Sequence, residues 1–197
     1  MEQSETQKEA VQETKQPSLL FDTLRFTILA LLIIVPFRMF IAQPFLVNGA
    51  SMDPTFENAQ YLIVDQLSYH FSEPKRGSVL IFKYPLDTSR YFIKRIIGLP
   101  GDTVRIERGE VFIENTKYPD GLKLEETYVE FTKNDTLTVT VPENEYFVMG
   151  DNRTGSLDSR YWGTLPEKFI IGRPLIRLLP LNGIGLWPGD KTEEDNK

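Results

Sequence analysis

Beyond residue 45 the chain is broken into short runs of β-branched and aromatic residues, and this pattern narrows the folds open to it. Residues 60–65, 77–84 and 91–97 are apolar and rich in Ile, Val, Phe and Tyr. Such side chains pack well on a pleated surface. Residues 103–107 alternate apolar with polar, and Arg108-Gly109-Glu110 turns the chain into residues 111–114, which reads as a hairpin. Residues 136–141 alternate again, and residues 145–149 follow Pro142. The spacing predicts a mainly β fold, a folded-over antiparallel β-sheet domain over residues 43–189. A small insert falls near 103–140, with a polar, looser part at 115–133. No repeat of fixed period is present.

One stretch before that domain is different. Residues 26–37 carry no charge, and Arg38 follows. A spanning helix needs about 20 mainly apolar residues. Residues 18–42 supply them if Asp22, Arg25 and Arg38 lie near the interfaces, where arginine can snorkel. Pro36 is tolerable in a membrane helix. The stretch reads as an uncleaved transmembrane anchor, with a lipid bilayer as partner. A buried soluble helix and a cleaved signal peptide are the alternatives. Ala42-Gln43-Pro44 fits a small-x-small cleavage site poorly. Charge near the span leaves orientation open, since the N-terminal tail holds more acid than base. Residues 1–17 read as a disordered tail and 190–197 as a polar tail, because both have little apolar surface to bury.

Composition removes several chemistries. The net charge of -6 argues against a nucleic-acid partner, which requires clustered Lys and Arg. The absence of cysteine excludes a zinc-thiolate site, a cysteine nucleophile and a disulfide. His70 is the single histidine, so any Ser-His-Asp triad would have to use it. Its surroundings, residues 68–72, are an ordinary loop or strand end.

Three stretches could carry chemistry. In residues 47–55, Ser51 sits among small residues and before Pro54, as a loop hydroxyl open to a peptide backbone. In residues 91–102, Lys94 lies in an apolar run with Phe92, Ile93, Ile96 and Ile97. A serine needs a base to take its proton, and lysine can be that base only when neutral. Burial among apolar side chains lowers a lysine pKa. On a strand, Phe92, Lys94 and Ile96 share one face and Arg95 faces away. Lys94 either serves in this way or snorkels to the surface. The third stretch, residues 149–163, holds Asp151, Arg153, Asp158 and Arg160, enough for internal ion pairs, and Ser156, whose hydroxyl could donate or accept a hydrogen bond to the lysine amine. Asp151, Asn152 and Asp158 do not have the spacing of a calcium loop, so no metal is assigned.

Together the stretches resemble the type I signal peptidases, the membrane-bound Ser-Lys endopeptidases, with the single anchor and short insert of the Gram-positive branch. The resemblance rests on Ser51-Met52-Asp53-Pro54-Thr55, on Lys94-Arg95 through Gly98-Leu99-Pro100-Gly101-Asp102, and on Gly150-Asp151-Asn152-Arg153 with Ser156 and Asp158-Ser159-Arg160. It implies a β domain of signal-peptidase type, removal of signal peptides from exported preproteins, and cleavage after Ala-x-Ala. Residue by residue, it implies Ser51 as nucleophile, Lys94 as general base, Ser156 holding the Lys94 amine, and Asp158 with Arg160 supporting the loop. The Ser51 N–H would serve the oxyanion. Some members carry a serine where this chain has Gly49, which leaves the second oxyanion donor open. Phe56 and Ser78 are further departures from the family pattern. Phe45, Val47, Gly49, Met52, Phe92 and Ile93 are the expected substrate-binding residues. The resemblance also implies a cell-membrane protein, N-terminus cytoplasmic and catalytic domain outside. No cofactor is implied and no oligomeric state is assigned. Two other readings are a non-catalytic membrane-tethered β domain that binds or assembles exported proteins, and a self-cleaving relative of the Ser-Lys repressors. The paired Ser51 and Lys94 count against the first, and the missing DNA-binding segment against the second.

Overall fold

The computed structural model describes residues 19–40 and 42–191. The tail over 1–17 lies outside the described residues, as does most of the tail over 190–197. The chain divides into two units, Met1–Phe37 and Arg38–Lys197.

The first unit holds helix α1, Leu19–Phe40, apart from its last three residues. Leu, Ile and Phe dominate it, and they are good enough helix formers once a run is long. Asp22 complements the dipole in the first turn, and the Thr23 and Thr27 hydroxyls donate to the carbonyls of Leu19 and Thr23 at 2.6 and 2.9 Å. Its apolar side chains have no sheltered face: Leu20, Phe26, Leu32 and Ile33 are 68–86% exposed. Among the described residues, no helix is long and apolar enough to cross a membrane. The spanning anchor expected over 18–42 is therefore not part of the described fold. Asp22 and Arg25 confine the uncharged stretch to residues 26–37, short of the roughly 20 that a span needs.

The second unit is built of antiparallel strands: β1 (Ala42–Leu46), β2 (Tyr61–Asp65), β3 (Val79–Tyr84), β4 (Asp87–Gly98), β5 (Thr103–Glu107), β6 (Glu110–Glu114), β7 (Leu122–Lys123), β8 (Leu137–Thr140), β9 (Glu145–Met149), β10 (Leu165–Pro166), β11 (Ile170–Leu179) and β12 (Gly185–Leu186). One sheet runs β1-β2-β11-β3-β4-β9-β10, with β12 on β11; the other runs β7-β6-β5-β8. The hairpin expected at 103–114 is β5–β6, closed at Glu107↔Glu110. Arg108 and Gly109 both have positive φ, which suits the twist of a two-residue hairpin turn. A Cβ at Gly109 would also strike the Lys133 carbonyl.

Alternation decides what is buried. Val104, Ile106, Val111 and Ile113 of the smaller sheet point inward and pack with Ile97, Phe147 and Met149 of the larger one. A second cluster joins Leu80, Phe82, Ile96, Tyr146, Val148 and Leu165. Strand β4 is exposed over residues 87–91 and buried from Lys94 to Gly98. The stretch 115–133, expected to be loose, includes β7 and several fastenings described below. Strand β11 follows Phe169 without any alternation strong enough to mark it in the sequence, yet it pairs with β2 and β3.

Candidate active site

The loop after β1 brings Ser51 to the end of β4. Val47 and Ala59 close that loop: the Val47 N–H donates to the Gln60 carbonyl and the Ala59 N–H to the Val47 carbonyl, both at 2.9 Å. Met52 and Phe56 are its apolar anchors, packed with Val47, Leu62 and Val79. Between anchors and strand, Gly49 adopts φ +100° and donates its N–H to Asn58 Oδ1 at 2.9 Å. A side chain is disfavoured at that φ.

Lys94 is 3% exposed. Its Nζ lies 2.8 Å from Ser51 Oγ, donates to the Ile93 carbonyl at 2.8 Å, and sits 5.2 Å from the centroid of the Phe92 ring. Burial pushes the ammonium down to about 8, against the carboxylates of Asp158 and Asp151, which favour its charged form. Lys94 is thus buried beside the serine and does not reach for solvent.

The third stretch wraps the pair. The Asn152 N–H donates to the Ser51 carbonyl at 3.2 Å and its Nδ2 to the Ala50 carbonyl at 3.0 Å. A Cβ at Gly150 would clash with both the Ser51 carbonyl and Ser156 Oγ, so the close approach requires glycine. Asp158 accepts Arg160 Nε and Nη2 at 2.8 Å each and the Gly150 N–H at 3.0 Å. Burial pushes the Asp158 carboxyl up, but Arg160, the Gly150 N–H and Ser156 outweigh it and hold the pKa below the ordinary value. Ser156 Oγ has no hydrogen bond of normal geometry, either to Lys94 or elsewhere. The side chain is buried against Gly150.

Arg95, expected only to face away from Lys94, is wholly buried and holds Asp151 through Nε and Nη2 at 2.9 and 2.6 Å. Asp151 also accepts from Thr55 Oγ1 at 2.5 Å, which ties this loop to the serine loop. Arg153 does not pair with Asp151; it makes a two-pronged bond to Glu126 at 2.8 and 2.5 Å. Glu126 could not be found from the sequence, because an isolated acid in a polar insert carries no signal.

A cleft of about 270 Å³ opens beside the pair. Ser51, Lys94, Phe45, Val47, Gly49, Phe92 and Ile93 line it, as do Leu46, Tyr91, Arg90 and Leu157, which sequence reading missed. Met52 does not line it: at 1% exposed it is core, because the turn that bridges Met52 to Phe56 packs both side chains with Val47, Leu62 and Val79. Phe56 is likewise core rather than pocket wall. His70 is exposed, and its Nδ1 lies 3.0 Å from the Gln66 carbonyl.

The family model for signal peptidase, peptidase S26, matches residues 20–179. The chain belongs to the peptidase S26 family of signal peptidases. It is 40% identical over 164 residues to "Probable signal peptidase I-1" of Synechocystis, covering 79% of this chain and 81% of that one. It is 36% identical to "Probable signal peptidase I-2" of the same organism, covering 84% and 76%. Signal peptidase I of Bacillus amyloliquefaciens is 33% identical over 189 residues, covering 90% of this chain and 97% of that one. As a member of this family the chain is a hydrolase, a serine endopeptidase that removes signal peptides.

Proposed function

We propose that Ser51 is the nucleophile and Lys94 its general base, and that the enzyme removes N-terminal signal peptides from exported preproteins by cleaving after Ala-x-Ala. The observation that carries this reading is the 2.8 Å approach of a buried lysine amine, with its pKa near 8, to the serine hydroxyl. Neutral Lys94 takes the Ser51 Oγ proton as Oγ attacks the scissile carbonyl. The resulting ammonium gives that proton to the leaving amine, which departs as the mature protein. Water then attacks the Ser51 ester, Lys94 accepting its proton and passing it to Ser51 Oγ as the Oγ–acyl bond breaks, and the signal peptide leaves as a carboxylic acid that ionises in solvent. The Ser51 N–H is the donor offered to the oxyanion. The Gly49 N–H is already taken by Asn58, so it does not supply the second.

Asp158 and Arg160 support the loop that touches Ser51, and Ser156 belongs to that loop. Phe45, Val47, Phe92 and Ile93 form apolar walls of the cleft, and the preference for small side chains beside the scissile bond follows the family resemblance. Strand β4 pairs with β3 in register from Tyr91 to Arg95 and again, after a register shift, at Asp87, while β9 joins its other edge only from Arg95 onward. That leaves an edge at residues 91–94 on which an extended peptide can add as a strand.

The exposed apolar surface of α1 supports seating in a lipid bilayer. Its residues rise roughly 33 Å at 1.5 Å each, with Asp22 and Arg25 in reach of headgroups. The family resemblance implies association with the cell membrane. The test is cleavage of an Ala-x-Ala signal-peptide substrate in lipid by wild type, Ser51→Ala and Lys94→Ala. Wild type should cut after the second alanine and neither folded variant should. Retained cleavage by folded Ser51→Ala would reject the assignment.

A further inference from the structure

The cleft carries a charge that peptide hydrolysis does not need. Among its lining residues, Lys94 is committed to Ser51, no Asp or Glu is present, and the remaining cation is Arg90. Arg90 stands on the exposed part of β4. Its guanidinium lies over the Phe92 ring at 5.2 Å and beside the Tyr84 ring at 5.9 Å, and those two rings stack at 4.6 Å. The aromatic pair therefore holds the long side chain in place before substrate arrives, so less rotamer freedom is lost on binding. Among the described residues, no carboxylate forms an ion pair with Arg90. The nearby Asp87 feels its charge, but that carboxylate accepts from the Ser89 hydroxyl and N–H, at 2.6 and 3.2 Å.

Position on the strand says where such a charge acts. Arg90 and Lys94 each lie 5.2 Å from the Phe92 ring, and all three line the cleft. Arg90 is four residues from Lys94, roughly 13 Å along β4 at 3.3 Å per residue. A peptide strand laid on the open β4 edge, with its scissile bond at Ser51, would put a side chain about four residues from that bond near the guanidinium. We propose that Arg90 is a specificity-determining residue that selects preproteins bearing an Asp or Glu about four residues from the cleavage point and disfavours those with Lys or Arg there. This rests on the reading of Ser51, Lys94 and the β4 edge as the peptide site. Arginine suits the task because its planar fork meets a carboxylate with two donors and stays charged at every working pH. The protein's net charge of -6 makes a cation at the cleft rim a local exception.

The test is a set of Ala-x-Ala peptides in which Glu, Lys or Ala is placed in turn at each position from three to five residues on either side of the scissile bond. The readout is the ratio of kcat/KM for the Glu peptide to that for the Ala peptide, measured with the full-length enzyme in lipid. Wild type should show one position where Glu raises kcat/KM by about two- to fivefold, the range of an exposed ion pair, and Lys lowers it. At that position the ratio should fall to about one in Arg90→Gln and reverse in Arg90→Glu, which should prefer Lys. Added salt should shrink the wild-type ratio. A flat scan with wild type, or a Glu preference that persists in Arg90→Gln and Arg90→Glu, overturns the proposal while leaving the peptidase site standing. Failure of wild type to cut even the Ala peptide would overturn both.

Discussion

At the scale of single residues, Lys94 holds the sharpest conflict between stability and function. A cation at 3% exposure is held in poor surroundings so that it can lose its proton. The free base is the active form, so kcat/KM should rise with pH along a limb centred near 8 and level off above it. At pH 7 roughly a tenth of the enzyme would carry neutral Lys94. A pH–rate profile flat from 6 to 9, with chemistry rate-limiting, would remove Lys94 as base. The same shift has a cost in folding. The unfolded chain binds the proton up to the ordinary value of 10.5, the folded chain only to about 8. Between those values the unfolded state holds more protons, so stability gains with rising pH; below 8 the penalty is fully present, about 3 kcal/mol. Lys94→Met should therefore be inactive yet more stable than wild type at pH 7, with the gap closing as pH approaches 10. Thermal melts at pH 7 and 10 read this directly, and a Lys94→Met protein less stable at both would refute it.

At the scale of elements, the serine loop is held from two sides. Arg177 of β11 donates Nη2 to the Thr55 carbonyl at 2.7 Å, and Asp151 takes the Thr55 hydroxyl. The loop carrying Asp151 is itself strapped by residues 126–135. Glu126 holds Arg153, the Phe131 carbonyl accepts the Arg153 N–H at 2.9 Å, and Asp135 accepts from Arg160 at 2.6 Å. Tyr128 lies 4.0 Å beneath Arg95. The Arg153–Glu126 pair is buried, its side chains 3% and 10% exposed. Glu126→Gln leaves a buried guanidinium short of a charge and should cost about 3–5 kcal/mol in denaturant unfolding. Glu110→Gln in the exposed pair with Lys123 should cost under about 0.5 kcal/mol. Equal costs for the two would show that the strap is not what holds the catalytic loop.

At the scale of the whole molecule, the two units have different surfaces. The β unit buries one core between its sheets and another against the larger sheet, while α1 leaves Leu, Ile and Phe exposed over residues 19–35. A lipid surface would take that helix out of water at roughly 25 cal/mol per Å² of apolar area. The full chain should therefore co-sediment with phospholipid vesicles. Leu29→Glu with Leu32→Glu should weaken that association without changing peptide cleavage in detergent. Unaltered sedimentation of the double variant would place membrane contact elsewhere.

Much of this protein is written locally in its residues. Alternation at 103–107 and the Arg108-Gly109 turn specify a hairpin within a few residues, because side-chain period and turn dihedrals are short-range properties. Ser51 and Lys94 are legible for a related reason, since small residues and an apolar run advertise their surroundings. What the folded chain alone decides is long-range. Arg95 pairs with Asp151 across 56 positions, and Glu126 meets Arg153 across 27. Met52 turns inward with Phe56, Ser156 packs against Gly150 without bonding the amine, and Arg90 comes to the rim of the same cleft as Ser51. Single charges have no period and no neighbours that name their partners; only the packing of β4 and β9, and the strap laid over the loop after β9, brings them within hydrogen-bonding distance.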